Sequence, residues 1–198
     1  MRLKVRLYRR PKAERRFLRS AGAFLSAFGF LTLGFCALAY FETWFSQTYD
    51  QRAFEKNLRL PAPPPDANSV SRLEIPRLGV SVMVHEGVDP RTLRLGAGHI
   101  PGTEAPGGLG NVGIAGHRDL FFRDLRKVHP KDTILLTTLG GSYQYSVDWT
   151  RVVKPSESSV LAPSEDAVLT LVTCYPFYYV GSAPNRFIVR ARRVGRTR

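Results

Sequence analysis

The chain has 198 residues, two Cys, four His and a formal net charge of +13, with 43% hydrophobic residues. That length allows one compact domain with extensions, the apolar content excludes wholesale disorder, and two Cys exclude a disulfide framework or an all-Cys zinc site. Nine Lys/Arg against Glu14 alone fill residues 1–19, six Arg and no acid fill the last 13, and residues 42–185 hold 14 Lys/Arg against 15 Asp/Glu, a distribution that argues against the single basic patch of a nucleic-acid binder.

Residues 1–19 read as a basic cytoplasmic tail. Ser20 to Phe41 follows as 22 residues without a charge. As a helix at ~1.5 Å per residue it is about 33 Å long, enough for a ~30 Å hydrocarbon core. A signal peptide has an apolar region of only about 7–15 residues and ends in small residues. Here the stretch ends in Tyr40-Phe41-Glu42, so a retained transmembrane signal anchor is favoured. The preceding basic residues are expected to stay in the cytoplasm, which puts residues 42–198 outside the membrane.

Residues 42–68 read as a stalk and Pro-rich linker. The segment Leu60 to Ser69 carries four Pro and suits a stiff, extended spacer. A domain is expected from 69 to 198, about the usual size for one core. Its candidate strands are 72–75, 80–84, 111–115, 133–138, 143–153, 168–173 and 187–194, with short helical hints near 90–95 and 119–127. Tyr143-Gln-Tyr-Ser-Val147 alternates with period two, and Phe187, Val189 and Ala191 alternate with Ile188, Arg190 and Arg192. The Gly- and Pro-rich stretches 96–113 and 176–184 are expected to be loops. Many short strands at close spacing suggest an all-β sandwich or closed barrel.

Three residues stand out chemically. Cys174 ends an apolar strand, because Pro176 cannot continue a central ladder. Cys36 sits in the membrane stretch and cannot meet it, so Cys174 is a lone external thiol: buried and inert, paired with another chain, or reactive. His117 follows an apolar strand in Gly113-Ile-Ala-Gly-His117-Arg-Asp, as a strand-end or exposed loop residue. Arg186 opens the last strand, and an antiparallel pairing would bring it to the rim that carries Cys174. Together they suit acyl transfer. A thiolate attacks, an imidazolium and a guanidinium favour it electrostatically, His moves protons, and Arg offers fixed donors to an oxyanion. No Asp or Asn orienter for the His is evident. No His/Cys/carboxylate spacing makes a metal site, and no cofactor is expected.

The segments Gly113-Ile-Ala-Gly-His117-Arg-Asp, Leu169-Thr-Leu-Val-Thr-Cys174-Tyr-Pro and Pro184-Asn-Arg186-Phe resemble the active-site motifs of sortases, most closely class D. Leu73–Val80 and Gly98–Thr103 resemble sortase core segments, so the likeness runs from about Leu73 to Val194. It implies an all-β, closed eight-stranded barrel with short helices. It also implies cleavage of an LPxTG-like sorting signal through a thioester on Cys174. An amine from a peptidoglycan precursor or a pilin Lys would resolve that thioester, and the clients would be surface proteins bearing the signal. His117 takes the acid/base role and Arg186 the oxyanion role. Thr173 is expected to help hold substrate, and His99, in a Gly/Pro-rich loop, to line the cleft or pack that loop. The rival readings are a hydrolase on the same fold and a non-enzymatic peptide-binding module.

Overall fold

The computed structural model describes residues 12–60, 70–179 and 181–197. Residues 1–11 of the basic tail and residues 61–69 of the Pro-rich linker lie outside them. The chain divides into two compact units after Glu42. Helix α1 (Lys12–Leu58) contributes to both. In the first unit its uncharged stretch exposes Phe24, Leu25, Phe30, Leu33 and Phe35, which fall on every side of the helix. A helix apolar all round is long enough and apolar enough to cross a membrane.

The second unit is a closed barrel with short helical segments packed around it. Its strands are β1 (Ser71–Ile75), β2 (Val80–Glu86), β3 (Ala97–His99), β4 (Asn111–Ala115), β5 (Thr133–Thr138), β6 (Gly141–Val153), β7 (Val168–Tyr175) and β8 (Asn185–Thr197). They pair in the order β1-β2-β3-β4-β7-β8-β6-β5, with β5 returning to β1. Two neighbouring pairs are parallel, β2–β3 and β4–β7. Closure removes the free edges that short strands would otherwise expose. The period-two pattern decides what lies inside: Val112 and Ile114 of β4, Leu169 and Leu171 of β7, and Val189 and Ala191 of β8 all join the interior core. Their alternates face outward.

Seven of the eight strands coincide with apolar, β-branched runs of sequence. The eighth, β3, falls in a stretch read as loop. It is only Ala97-Gly98-His99, and Gly98 has no side chain for a physical reason: a Cβ there would lie 2.1 Å from the Gly87 carbonyl oxygen. Close backbone approach thus erased the β-branched signal that marks the other strands. Helix α2 (Pro90–Leu95) precedes it, capped by Asp89, whose carboxylate accepts from Arg91 N and Thr92 N. Of the second helical hint, the 3-10 turn Arg123–Lys127 forms.

The barrel begins at Ser71, close to the boundary expected at 69, but its compact unit begins at Thr43. The end of α1 packs on it. Gln47 donates to Leu95 O at 2.5 Å and accepts from Met83 N at 3.0 Å, Phe54 is buried, and Glu55 pairs with Arg72 at 3.3 Å.

The outward face of β4, β7 and β8 carries a buried polar network. Asn111, 2% exposed, donates to Val160 O and Ala162 O, and accepts from the Thr170 hydroxyl at 2.7 Å. Arg190 donates to the same Thr170 oxygen and to Val160 O. Beside it, Val153, Val160 and Ile188 form a small apolar cluster outside the barrel. Network and cluster fasten the β6–β7 loop, through its 3-10 turn Ser158–Leu161, onto the strands. Two arginines near the end of β8 are likewise spent within the fold. Arg193 donates to Gly107 O and Gly108 O, Arg196 donates to Gly140 O, and both stack over Tyr143.

At the other side of the barrel, Arg77 holds Asp132 through two hydrogen bonds of 2.5 Å. That bond, helped by the His129 N–H, holds the Asp132 carboxyl below its ordinary range against the opposing effect of burial. A carboxyl depressed on folding stabilises above its unfolded pKa and loses that contribution as pH falls through its folded value. Asp132→Asn is therefore expected to flatten the acid limb of stability below about pH 4, read as denaturant midpoint against pH. An unchanged limb would remove Asp132 from it. Asn111→Ala is expected to cost about 3 kcal/mol, because two loop carbonyls and a hydroxyl lose their partner. Unfolding curves that superimpose on wild type would show the network contributes nothing.

Candidate active site

Strands β4 and β7 run side by side in the same direction, with Ala115 opposite Val172. Their C-terminal ends therefore reach one rim together. His117 follows the first end and Cys174 lies near the second. Strand β8 runs antiparallel to β7, and its register puts Arg186 directly opposite Cys174. Directly opposed residues project to the same face. By the alternation that turns Leu169 and Leu171 inward, Cys174 and Arg186 both face outward. Cys174, His117 and Arg186 line one cleft of about 330 Å³, with Arg118, Asp119 and Gly181–Ala183 completing it. All three side chains are partly exposed, as a reacting group must be.

The turn carrying His117 is fixed from three directions. Gly116 N donates to Val172 O, extending the β4–β7 pairing by one residue. The His117 carbonyl accepts from Leu120 N and Phe122 N. The buried Phe122 ring presses on Gly116, where a Cβ would meet it at 2.7 Å, so only Gly admits the ring. Arg186 Nη1 donates to Ala183 O and Asn185 O, which orients the guanidinium. Tyr175, Phe177 and Phe187 pack ring against ring beside it, with centroids 5.3 to 6.3 Å apart. No carboxylate hydrogen-bonds the His117 ring among the described residues, and among them no three His, Cys, Asp or Glu converge as a metal site would require.

Thr173 and His99 take other positions. Thr173 is 2% exposed and faces the barrel interior, and its hydroxyl donates to Gly116 O at 2.7 Å. It joins the residue before Cys174 to the residue before His117, rather than reaching the cleft. His99 is 6% exposed and is not among the residues lining the Cys174 cleft. Its Nδ1 meets Glu86 at 2.7 Å, and its Nε2 meets Glu104 O at 2.9 Å and the Thr103 hydroxyl at 3.1 Å. The ring thereby fastens the β3–β4 loop, and Thr103 in turn accepts from Gly113 N beside the seam. Arg118 drew no separate attention in the sequence beyond its pairing with Asp119. Its partners lie about sixty residues away, which no local spacing reveals.

The profile of the sortase domain matches residues 73–194. Sortase D of Bacillus subtilis is 35% identical over 123 residues, covering 62% of this chain and 62% of that protein. Sortase A of Listeria monocytogenes is 34% identical over 109 residues, covering 53% and 49%. The alignments thus span about half to three fifths of these relatives' length. Among solved structures, a sortase D5 transpeptidase of Clostridium perfringens superimposes with TM-score 0.67 at 26% identity, over 76% of this chain and 99% of that one. Sortase A of Corynebacterium diphtheriae does so with TM-score 0.62 at 32% identity, over 71% and 67%.

Thr173→Val keeps the shape and deletes the bond to Gly116 O. It is expected to lower stability by about 1–2 kcal/mol and to speed amide exchange at 117–122, while Thr173→Ser retains wild-type behaviour. A Val variant that exchanges like wild type would show that the bond does not hold the His117 turn.

Proposed function

The chain belongs to the sortase family, and on that premise we propose that it is a cysteine transpeptidase acting on an LPxTG-like sorting signal. The observation that carries this reading is the meeting of Cys174, His117 and Arg186 at one open cleft. In the proposed reaction the Cys174 thiolate attacks the carbonyl carbon of the signal's Thr. The carbonyl π electrons move onto oxygen, and the Arg186 guanidinium receives the oxyanion with fixed donors. Collapse expels the amine of the following residue, which takes its proton from the His117 imidazolium. A thioester on Cys174 remains. An incoming amine attacks it, His117 takes that amine's proton, and the Cys174 thiolate leaves as the new amide forms.

The open approach to Cys174 is the cleft lined by His117, Arg118 and the β7–β8 loop. Farther along the β4–β7 seam, Thr103 and Leu161 close over Gly113, where a Cβ would lie 3.0 to 3.1 Å from both. The β3–β4 and β6–β7 loops thus meet over the seam there, and the latter is held by the Asn111 network. We assign residues 69–198 as the catalytic domain. Ser20–Phe41 is assigned as a membrane anchor with residues 1–19 cytoplasmic and the barrel outside, supported by the nine basic residues that precede the uncharged stretch. Clients are proteins bearing the sorting signal, and the acceptor is an amine such as a peptidoglycan precursor or pilin Lys.

The test uses the full chain in detergent micelles, an LPxTG-type peptide library and an amine acceptor, with products read by mass spectrometry. A Cys174 thioester followed by an amine-linked product is expected. Hydrolysis without transfer in the presence of several amines would replace transpeptidase with protease, and a folded protein that binds peptide without an adduct would indicate a binding module. Cys174→Ala and His117→Ala are expected to abolish turnover. Arg186→Lys is expected to lose about 10²–10³-fold, because an ammonium lacks the planar fork. Wild-type turnover in any of the three would overturn the role given to that residue.

A further inference from the structure

Between β7 and β8 the chain makes a loop, residues 176–184, whose last part lines the Cys174 cleft at Gly181, Ser182 and Ala183. Its tip exposes Tyr178 by 77% and Tyr179 by 47%, so burial does not hold it there. The backbone contributes one internal hydrogen bond among the described residues, Tyr179 N to Pro176 O at 3.3 Å. The principal anchor is Arg118. Its Nη1 donates to Pro176 O at 3.0 Å, and its Nη2 donates to Tyr179 O at 2.6 Å and Gly181 O at 3.2 Å. The guanidinium also sits 5.9 Å from the centroid of the Tyr179 ring. A second pin lies further out, where Arg126 stacks 5.1 Å from the centroid of Tyr178 and donates to its hydroxyl.

We propose that Arg118 is a positioning residue that latches the β7–β8 loop into place as a wall of the cleft, so that His117 and the loop between Cys174 and Arg186 keep one fixed spacing. Arg118 is the residue after His117. A displacement of the loop's carbonyls is therefore felt at His117 through the adjoining Arg118 side chain, beside the Arg126–Tyr178 pin and the Arg186 bond to Ala183 O. Three carbonyls of one loop converge on one planar cation. That geometry suits a guanidinium, whose donors spread in a plane, and not an ammonium, which is a point charge on a flexible stem. The role in substrate binding rests on the transpeptidase reading, whereas the latch itself does not.

Two readouts separate these. Amide exchange at 177–183 in the full chain, without peptide, tests the latch alone. Arg118→Gln and Arg118→Lys are both expected to raise exchange there by about tenfold or more, with the far-ultraviolet spectrum unchanged. Unchanged exchange in both variants would overturn the proposal. With an LPxTG-type peptide, both are expected to raise KM about tenfold while kcat stays within about threefold. The pH profile of Cys174 alkylation by iodoacetamide is expected to stay as in wild type. If Lys instead matched wild type in KM and exchange while Gln shifted the alkylation profile, Arg118 would act by its charge and the latch would fall. Should the Arg118 variants not fold, Tyr178→Phe and Arg126→Gln probe the outer pin. They are expected to loosen the same amides by a smaller factor, and no loosening in either would count against the latch. Wild-type protein that turns over no peptide would defeat the transpeptidase reading while leaving the exchange result standing.

Discussion

The parallel pairing of β4 and β7 is the constraint on which the site depends. Parallel neighbours point their C-terminal ends to the same rim, so the register Ala115 opposite Val172 carries His117 and Cys174 there together. An antiparallel pair would send the two ends to opposite rims. Antiparallel β8 then returns to the same place and sets Arg186 opposite Cys174. Every further contact refines this arrangement: the bond from Thr173 to Gly116, the Phe122 ring against Gly116, and the Arg118 hold on the returning loop.

Around that seam the outward face does two jobs. Near Cys174 it leaves polar side chains open to solvent. At the other end it buries Asn111, Thr170 and Arg190 beneath the β6–β7 loop. Burial lowers the Arg190 pKa from its ordinary value, the direction expected for a cation removed from water. Its guanidinium is compensated by hydrogen bonds to Val160 O and the Thr170 hydroxyl. A buried polar network of this kind specifies one docking geometry for the loop, because an apolar contact alone tolerates sliding. The same logic holds for His99, whose two ring nitrogens are both engaged and which fixes the β3–β4 loop.

Strands with dense β-branched and apolar residues were legible from sequence, and so was the placing of Cys174, His117 and Arg186 at strand ends. Strand β3 was not, since its Gly98 exists to let a neighbouring backbone approach. The inward aim of Thr173 was available in principle: it shares the parity of Leu169 and Leu171, both buried. For His99 the sequence offered two roles, lining the cleft or packing its loop; the ring does the second, but its carboxylate partner Glu86 was hidden, because it sits across a parallel pair. The loop partners of Arg190, Arg193 and Arg196 were not legible, because they lie 30 to 86 residues away along the chain. The end of α1 was likewise hidden, since the Pro-rich segment after it looked like a domain boundary while Gln47 and Phe54 bind it to the barrel.

The Thr173–Gly116 bond closes a gap of 57 positions along the chain. Contacts of such long range form late, after the loop-closure entropy of the intervening segment has been overcome. Before that moment nothing holds His117 near Cys174 and Arg186, which lie 57 or more positions farther along the chain. The convergence of Cys174, His117 and Arg186 at one rim therefore exists only in a chain whose β4, β7 and β8 are paired.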